Sequence, residues 1–231
     1  MLRALIAKEV GALFISPVAY AVISVFLLLS GYSFAVTLFV AKQASLVSVF
    51  FQAAVQFVLL VPLLTMRLFA EERRTGTLEL LLTAPVREID IVLAKFIAAM
   101  AVLLAMIGLT LTYALIIGVY GTPDWGPIYS GYLGLVLLAG SLVSIGIAIS
   151  ALTANQIVAA VVSLGIFGLL WSIDSLTSVL PSPMDNWLLG LSLLARFTPF
   201  ATGAMYTSDF GWFLALILLG LFLAVRALAR R

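Results

Sequence analysis

The chain has 231 residues, 64% of them hydrophobic and only 10% charged, with a formal net charge of +2. Soluble domains carry about 25% charged residues, so this composition excludes an ordinary water-soluble fold, and the scattered cations leave no footprint for nucleic acid. Cysteine and histidine are both absent, which excludes disulfides, thiol chemistry, histidine-ligated haem and nearly every zinc site, and removes the commonest general base.

Apolar runs repeatedly exceed the roughly 20 residues that cross a bilayer as a helix, and long alternating strand patterns are missing, which argues against a barrel. The expected class is all-α: one polytopic membrane domain over residues 1–231 with six transmembrane helices. Before the first run, Leu2, Ile6, Val10 and Leu13 recur at helical spacing, as in a helix lying on the inner leaflet. Glu9 spoils that apolar face, and a simple continuation of the first span is the plainer alternative. Arg3 and Lys8 look like the basic start of a signal peptide, but the run from Val18 continues past signal length, so a retained first span is expected.

Ser16-Pro17 sets a helix start, with Ser as N-cap and Pro at the first helical position. The first span is expected over residues 17–41, followed by a turn at Lys42-Gln43. The second is expected over 46–66, with Pro62 kinking its far end. Gln52 and Gln56 share one of its faces. Buried amides need partners, so they either line a substrate path or bond neighbouring helices.

Residues 66–95 read MRLFAEERRTGTLELLLTAPVREIDIVLAK and hold ten of the 22 charged side chains. Glu71, Glu72, Arg73 and Arg74 continue the second helix into water, and Gly76 is a natural break. Leu78, Leu81 and Leu82 follow at i, i+3 and i+4, giving a short helix with an apolar face that Pro85 ends. Arg87, Glu88 and Asp90 lead into the third span, 91–120, with Asp90 as its cap. A short helix tied to a span at each end either seats its apolar face in a groove on a soluble partner or anchors the loop on lipid.

In the third span Thr110, Thr112 and Tyr113 pose the same choice as the glutamines. Gly121 to Asp124 is a turn. The fourth span is expected over 129–152, where Gly140, Ser144 and Ala148 make a stripe of small residues for close packing, within the subunit or at a dimer seam. Thr153 to Gln156 is a tight connection, and the fifth span covers 157–180. Asp174 is its one carboxylate, costing about 2.5–3.5 kcal/mol if buried as an anion, with Arg196 a possible partner. Pro181-Ser-Pro183 breaks the helix. Residues 186–197 are apolar but too short to cross, so they form an outer re-entrant or interfacial helix or an amphipathic surface loop, which Thr198-Pro199 ends. The sixth span covers 210–227.

Six spans place ten of the 12 cations on the side of the termini and only Lys42 and Arg196 opposite, which predicts cytoplasmic termini. Trp125, Tyr129, Trp187, Tyr206 and Trp212 fall near the outer ends, where an aromatic belt belongs. No glycine precedes Lys8, Lys42 or Lys95, so a phosphate-binding loop is missing and the chain is not expected to hydrolyse ATP or to be an enzyme. No cofactor or metal is expected.

Met66-Arg67-Leu68, Ala70 to Arg74, Gly76-Thr77, Glu79 to Thr83, Pro85 and Lys95-Phe96 together resemble the cytoplasmic loop of ABC type-2 transporter permeases. The resemblance is to the branch with gliding-motility and nitrous-oxide-reductase-maturation permeases. Lys8-Glu9, Ser16 to Tyr20, Gly131 to Leu135 and Thr153 to Gln156 also match, so the resemblance covers most of residues 1–165 and thins out beyond. It implies six spans in the inner membrane, a homo- or heterodimer of permeases on two cytoplasmic ATPase subunits, and a coupling helix within Glu71 to Thr83. It also implies an outer hairpin or pair of short helices before the last span. The coupling residues it implies are Glu71, Glu72, Arg73, Arg74, Gly76, Thr77, Leu78, Glu79, Leu81 and Leu82. The expected function is thus the permease subunit of an ATP-driven exporter, with Gln52, Gln56, Thr110, Tyr113 and Asp174 as candidate path residues. The competing readings are an ion-coupled secondary transporter using Asp174 and a non-transporting membrane scaffold.

Overall fold

A computed structural model describes residues 2–77, 86–177 and 188–229. In chain order the helices are α1 (Leu2–Ile15), α2 (Pro17–Ala35, closing in a π-helical turn over Val36–Val40), α3 (Val47–Thr65), α4 (Arg67–Thr75) and α5 (Glu88–Tyr120). They continue as α6 (Trp125–Leu152), α7 (Gln156–Thr177), α8 (Leu193–Thr202) and α9 (Thr207–Ala229). The described residues contain no strand, and six helical stretches among them are long and apolar enough to cross a bilayer. The reason is general: lipid offers backbone groups no hydrogen bonds, so each crossing segment must satisfy its own.

Helix α6 is the core. Of its most apolar window 78% is buried, against 17% for α7 and 22% for α9. Small residues make this central position possible. A Cβ at Gly131 would strike the Phe50 ring, one at Gly134 would strike Phe200, and one at Gly146 would strike the Thr65 side chain. The stripe of Gly140, Ser144 and Ala148 faces α9 within the same chain: Gly140 lies against Ile217 and Ser144 against Gly220. At Gly220 an added Cβ would stand 2.7 Å from the Ser144 carbonyl carbon and 2.8 Å from the Ile145 nitrogen. Backbone cannot yield as a side chain would. Gly220→Val is therefore expected to cost about 1–3 kcal/mol by overpacking, read as a lowered unfolding temperature in detergent. Gly165→Ala on α7, where the new methyl meets open space, should be neutral or mildly stabilising.

Helix α3 keeps to the expected second span, ending at Thr65 with Pro62 inside it, and the Met66 N–H bonds the Pro62 carbonyl at 2.9 Å. Other boundaries differ from expectation. Asp90 is not the cap of α5. Arg87 holds that position, and Glu88 and Asp90 lie in the first turn, where carboxylates complement the helix dipole. Helix α6 starts at Trp125 because Asp124 Oδ1 accepts from the Gly126 N–H at 3.0 Å. Thr198-Pro199 does not end the outer segment: α8 contains Pro199. It begins where Ser192 Oγ accepts from the Ala195 N–H at 3.1 Å and stops at Gly203, which takes φ 96°. The expected end of the fifth span over 178–180, the Pro181-Ser-Pro183 break, and Asn186 with Trp187 lie outside the described residues.

Candidate functional site

The charged stretch after α3 is built into the bundle at three points. The first is the start of α4. Its cap residue is Met66, which has no side-chain acceptor, so the first amides need one from elsewhere. Ser150 of α6 supplies it: its Oγ accepts from the Phe69 and Ala70 N–H groups, both at 3.1 Å, and donates to the Met66 carbonyl at 3.0 Å. A serine 81 residues away in sequence thus acts as the N-cap of α4.

The second point is Arg67. Its Nε and Nη2 donate to Glu71 at 2.9 and 3.3 Å, a forked pair across one helical turn. Its Nη1 donates to Ser16 Oγ at 3.1 Å. Ser16 occupies the cap position of α2 without capping its own helix, so its hydroxyl joins the α1–α2 corner to α4 instead.

The third is Lys95 of α5, 2% exposed. Its Nζ donates to Glu9 Oε2 at 3.1 Å and to Glu72 Oε1 at 2.7 Å, and lies 5.0 Å from the centre of the Phe69 ring. An ammonium that deep is tenable only when carboxylates and hydrogen bonds replace its water. Glu9 comes from α1, Glu72 from α4 and Lys95 from α5, so one ion cluster ties three segments together. Glu9 does not spoil the face of α1. It is the buried residue of that helix, which packs along α5. A cavity of about 170 Å³ opens among Glu9, Ser16, Arg67, Glu71, Glu72 and Lys95.

Helix α4 then ends. Arg73 and Arg74 stand in its last turn, where cations complement the dipole, and Gly76 adopts φ 73°, the left-handed conformation that favours glycine. Thr75 Oγ1 donates to the Glu71 and Glu72 carbonyls at 3.0 and 3.3 Å and shares a 3.0 Å hydrogen bond with Thr77 Oγ1. Arg74 is exposed, and beside it a cleft of about 490 Å³ runs along Ala154, Asn155, Gln156 and Ile157 at the start of α7. Leu78, Glu79, Leu81 and Leu82 lie outside the described residues.

The candidate path residues behave differently from one another. Thr110 Oγ1 donates to the Ile107 carbonyl at 2.7 Å, and Tyr132 donates to the Thr110 carbonyl at 2.7 Å. Tyr113 stacks on Phe34 with ring centres 4.6 Å apart and shares a 3.3 Å hydrogen bond with Ser30. Gln52 is exposed and Asp174 half-buried. Gln56 is 2% exposed, and neither end of its amide has a hydrogen-bond partner among the described residues. Arg196, by sequence a possible partner of Asp174, donates from Nη1 to Asp209 Oδ1 at 2.6 Å and so ties α8 to α9.

Sequence reasoning missed Ser150 altogether and treated Glu9 as a blemish. The available signals were a helix start with methionine at its cap and a lone acid inside an apolar helix. The family model described as ABC-2 family transporter protein matches residues 53–230. Among curated proteins, none matches the chain.

Proposed function

The chain belongs to the ABC-2 family of transporter proteins and is a multi-pass membrane component of an ABC transporter; from that premise we propose that it is the permease of an exporter driven by a separate ATPase. The ATPase docks from the cytoplasm on the segment Glu71 to Thr83, two copies serving two permease subunits, and both termini share that side. Met66 to Thr83 is the stretch that suggests the gliding-motility and nitrous-oxide-reductase-maturation branch.

The observation that carries this reading is the attachment of α4. A loop that only floats on lipid needs no buried anchors. Here the stretch leading into the loop is fastened to α6 through Ser150, to the α1–α2 corner through Arg67, and to α1 and α5 through Lys95. A push on the following residues would move those helices together rather than bend a slack connector. Exposed Arg74 and Asn155 extend the docking surface across the neighbouring connection. Within the bundle, Gln56 is the path residue we favour: a buried amide without a partner among the described residues calls for water or a polar group of the cargo.

Leu81→Glu tests the docking. An unpaired carboxylate in an apolar contact costs several kcal/mol, so permease-stimulated ATP hydrolysis by the partner should fall about tenfold or more. Unchanged stimulation removes the docking assignment. Flux that persists in vesicles without ATP points to Asp174 and an ion gradient, and an ATPase that binds without any flux leaves the scaffold reading.

A further inference from the structure

A groove of about 630 Å³ runs along the bundle surface, and none of the residues of the ion cluster lines it. Its floor is α6, at Ile145 and Ile149. One wall is α7, at Ile166, and the other is α9, at Leu219, Leu223 and Arg226. Both walls pack on α6 and hardly touch one another. Gly220 holds α9 tightly on α6, which leaves the opening toward α7. The lining is apolar except for Arg226 at the end nearest the C-terminus. From Leu219 to Arg226 the groove follows α9 for about 10 Å, the reach of the upper part of an acyl chain.

Water does not fill an apolar groove within the hydrocarbon, so lipid or protein must. Arg226 selects between kinds of occupant. Its guanidinium lies 5.2 Å from the Phe222 ring centre, and none of the ion pairs among the described residues includes it. An arginine near the end of a crossing helix extends toward the phosphate layer, where an anionic headgroup supplies its missing charge. A second copy docked here would bring two such cations into one low-dielectric interface.

We propose that an anionic phospholipid, from the leaflet on the side of the termini, seats one acyl chain in this groove and its phosphate on Arg226. The test uses the full chain in detergent, incubated with equal amounts of dioleoyl phosphatidylglycerol and dioleoyl phosphatidylcholine and read by native mass spectrometry. Wild type should retain phosphatidylglycerol about fivefold over phosphatidylcholine. Arg226→Gln should lose the preference and Arg226→Lys should keep it. Ile166→Trp, which fills the groove from α7, should lower retention of both lipids. Equal retention by wild type, or an undiminished preference in Arg226→Gln, overturns the proposal. So does an Ile166→Trp chain that keeps its lipid and loses a dimer, which assigns the groove to a second copy.

Discussion

Lys95→Met is expected to destabilise the protein by about 3 kcal/mol, the low end of what breaking a buried ion pair costs. The low end applies because Glu72 keeps 20% of its side chain exposed, while Lys95 keeps 2%. Methionine fills much the same space, so packing changes little. What changes is electrostatic. Glu9 and Glu72, which now approach the ammonium at 3.1 and 2.7 Å, would face each other with no cation between them. Their repulsion should part α1 from α4 and leave the charged loop without its hold on α5. Two measurements check this: unfolding in detergent, and stimulation of ATP hydrolysis by the ATPase partner proposed above. The triple variant Glu9→Gln, Glu72→Gln, Lys95→Met should recover most of the stability, because neutral groups remove the repulsion. A Lys95→Met chain as stable as wild type would show that the two acids find other partners.

Ser150→Ala should cost about 2–3 kcal/mol, since two amides and a carbonyl around a buried helix start lose their shared partner. Phe69 and Ala70 are fully buried, so water cannot replace the hydroxyl without opening the α4–α6 contact. Hydrogen exchange at those two amides should accelerate before exchange in the middle of α6. Ser141→Ala on the same helix is the control. Among the described residues the Ser141 hydroxyl bonds only the Leu138 carbonyl of its own helix, at 2.8 Å, and its removal should cost under about 1 kcal/mol. Equal costs for the two variants would deny Ser150 its capping role. Both residues act before any partner binds, so loss of stability and loss of ATPase stimulation should appear together for Ser150 and Lys95. For Leu81→Glu stimulation alone should fall.

The misread boundaries share one cause. Asp90 suits a cap by residue type, but nothing between Pro85 and Ile91 opposes a helix, so α5 extends back to Glu88 and Asp90 serves the dipole instead. Pro199 reads as a breaker, yet the Ser192 cap and the Gly203 terminus define a helix long enough to absorb one missing N–H. Local rules gave each residue its plausible roles, and neighbouring residues chose among them. Arg196 illustrates the same limit: Asp174, Asp185 and Asp209 all flank it in the sequence, and the folded chain brings Asp209 to its guanidinium.

The all-α class, the six crossings and the membership in a membrane transport family were legible in one dimension. Bilayer thickness sets a length for each apolar run, and the charged stretch interrupts those runs at a single place. The tertiary structure alone decided how that stretch is fastened. Glu9 meets Lys95 across 86 residues, and Ser150 meets Ala70 across 80. Neither contact leaves a periodic trace in the chain. A buried ion or hydroxyl takes its partner from whichever helix packing brings within reach, and that depends on where glycines such as Gly146 and Gly220 let α6 approach its neighbours.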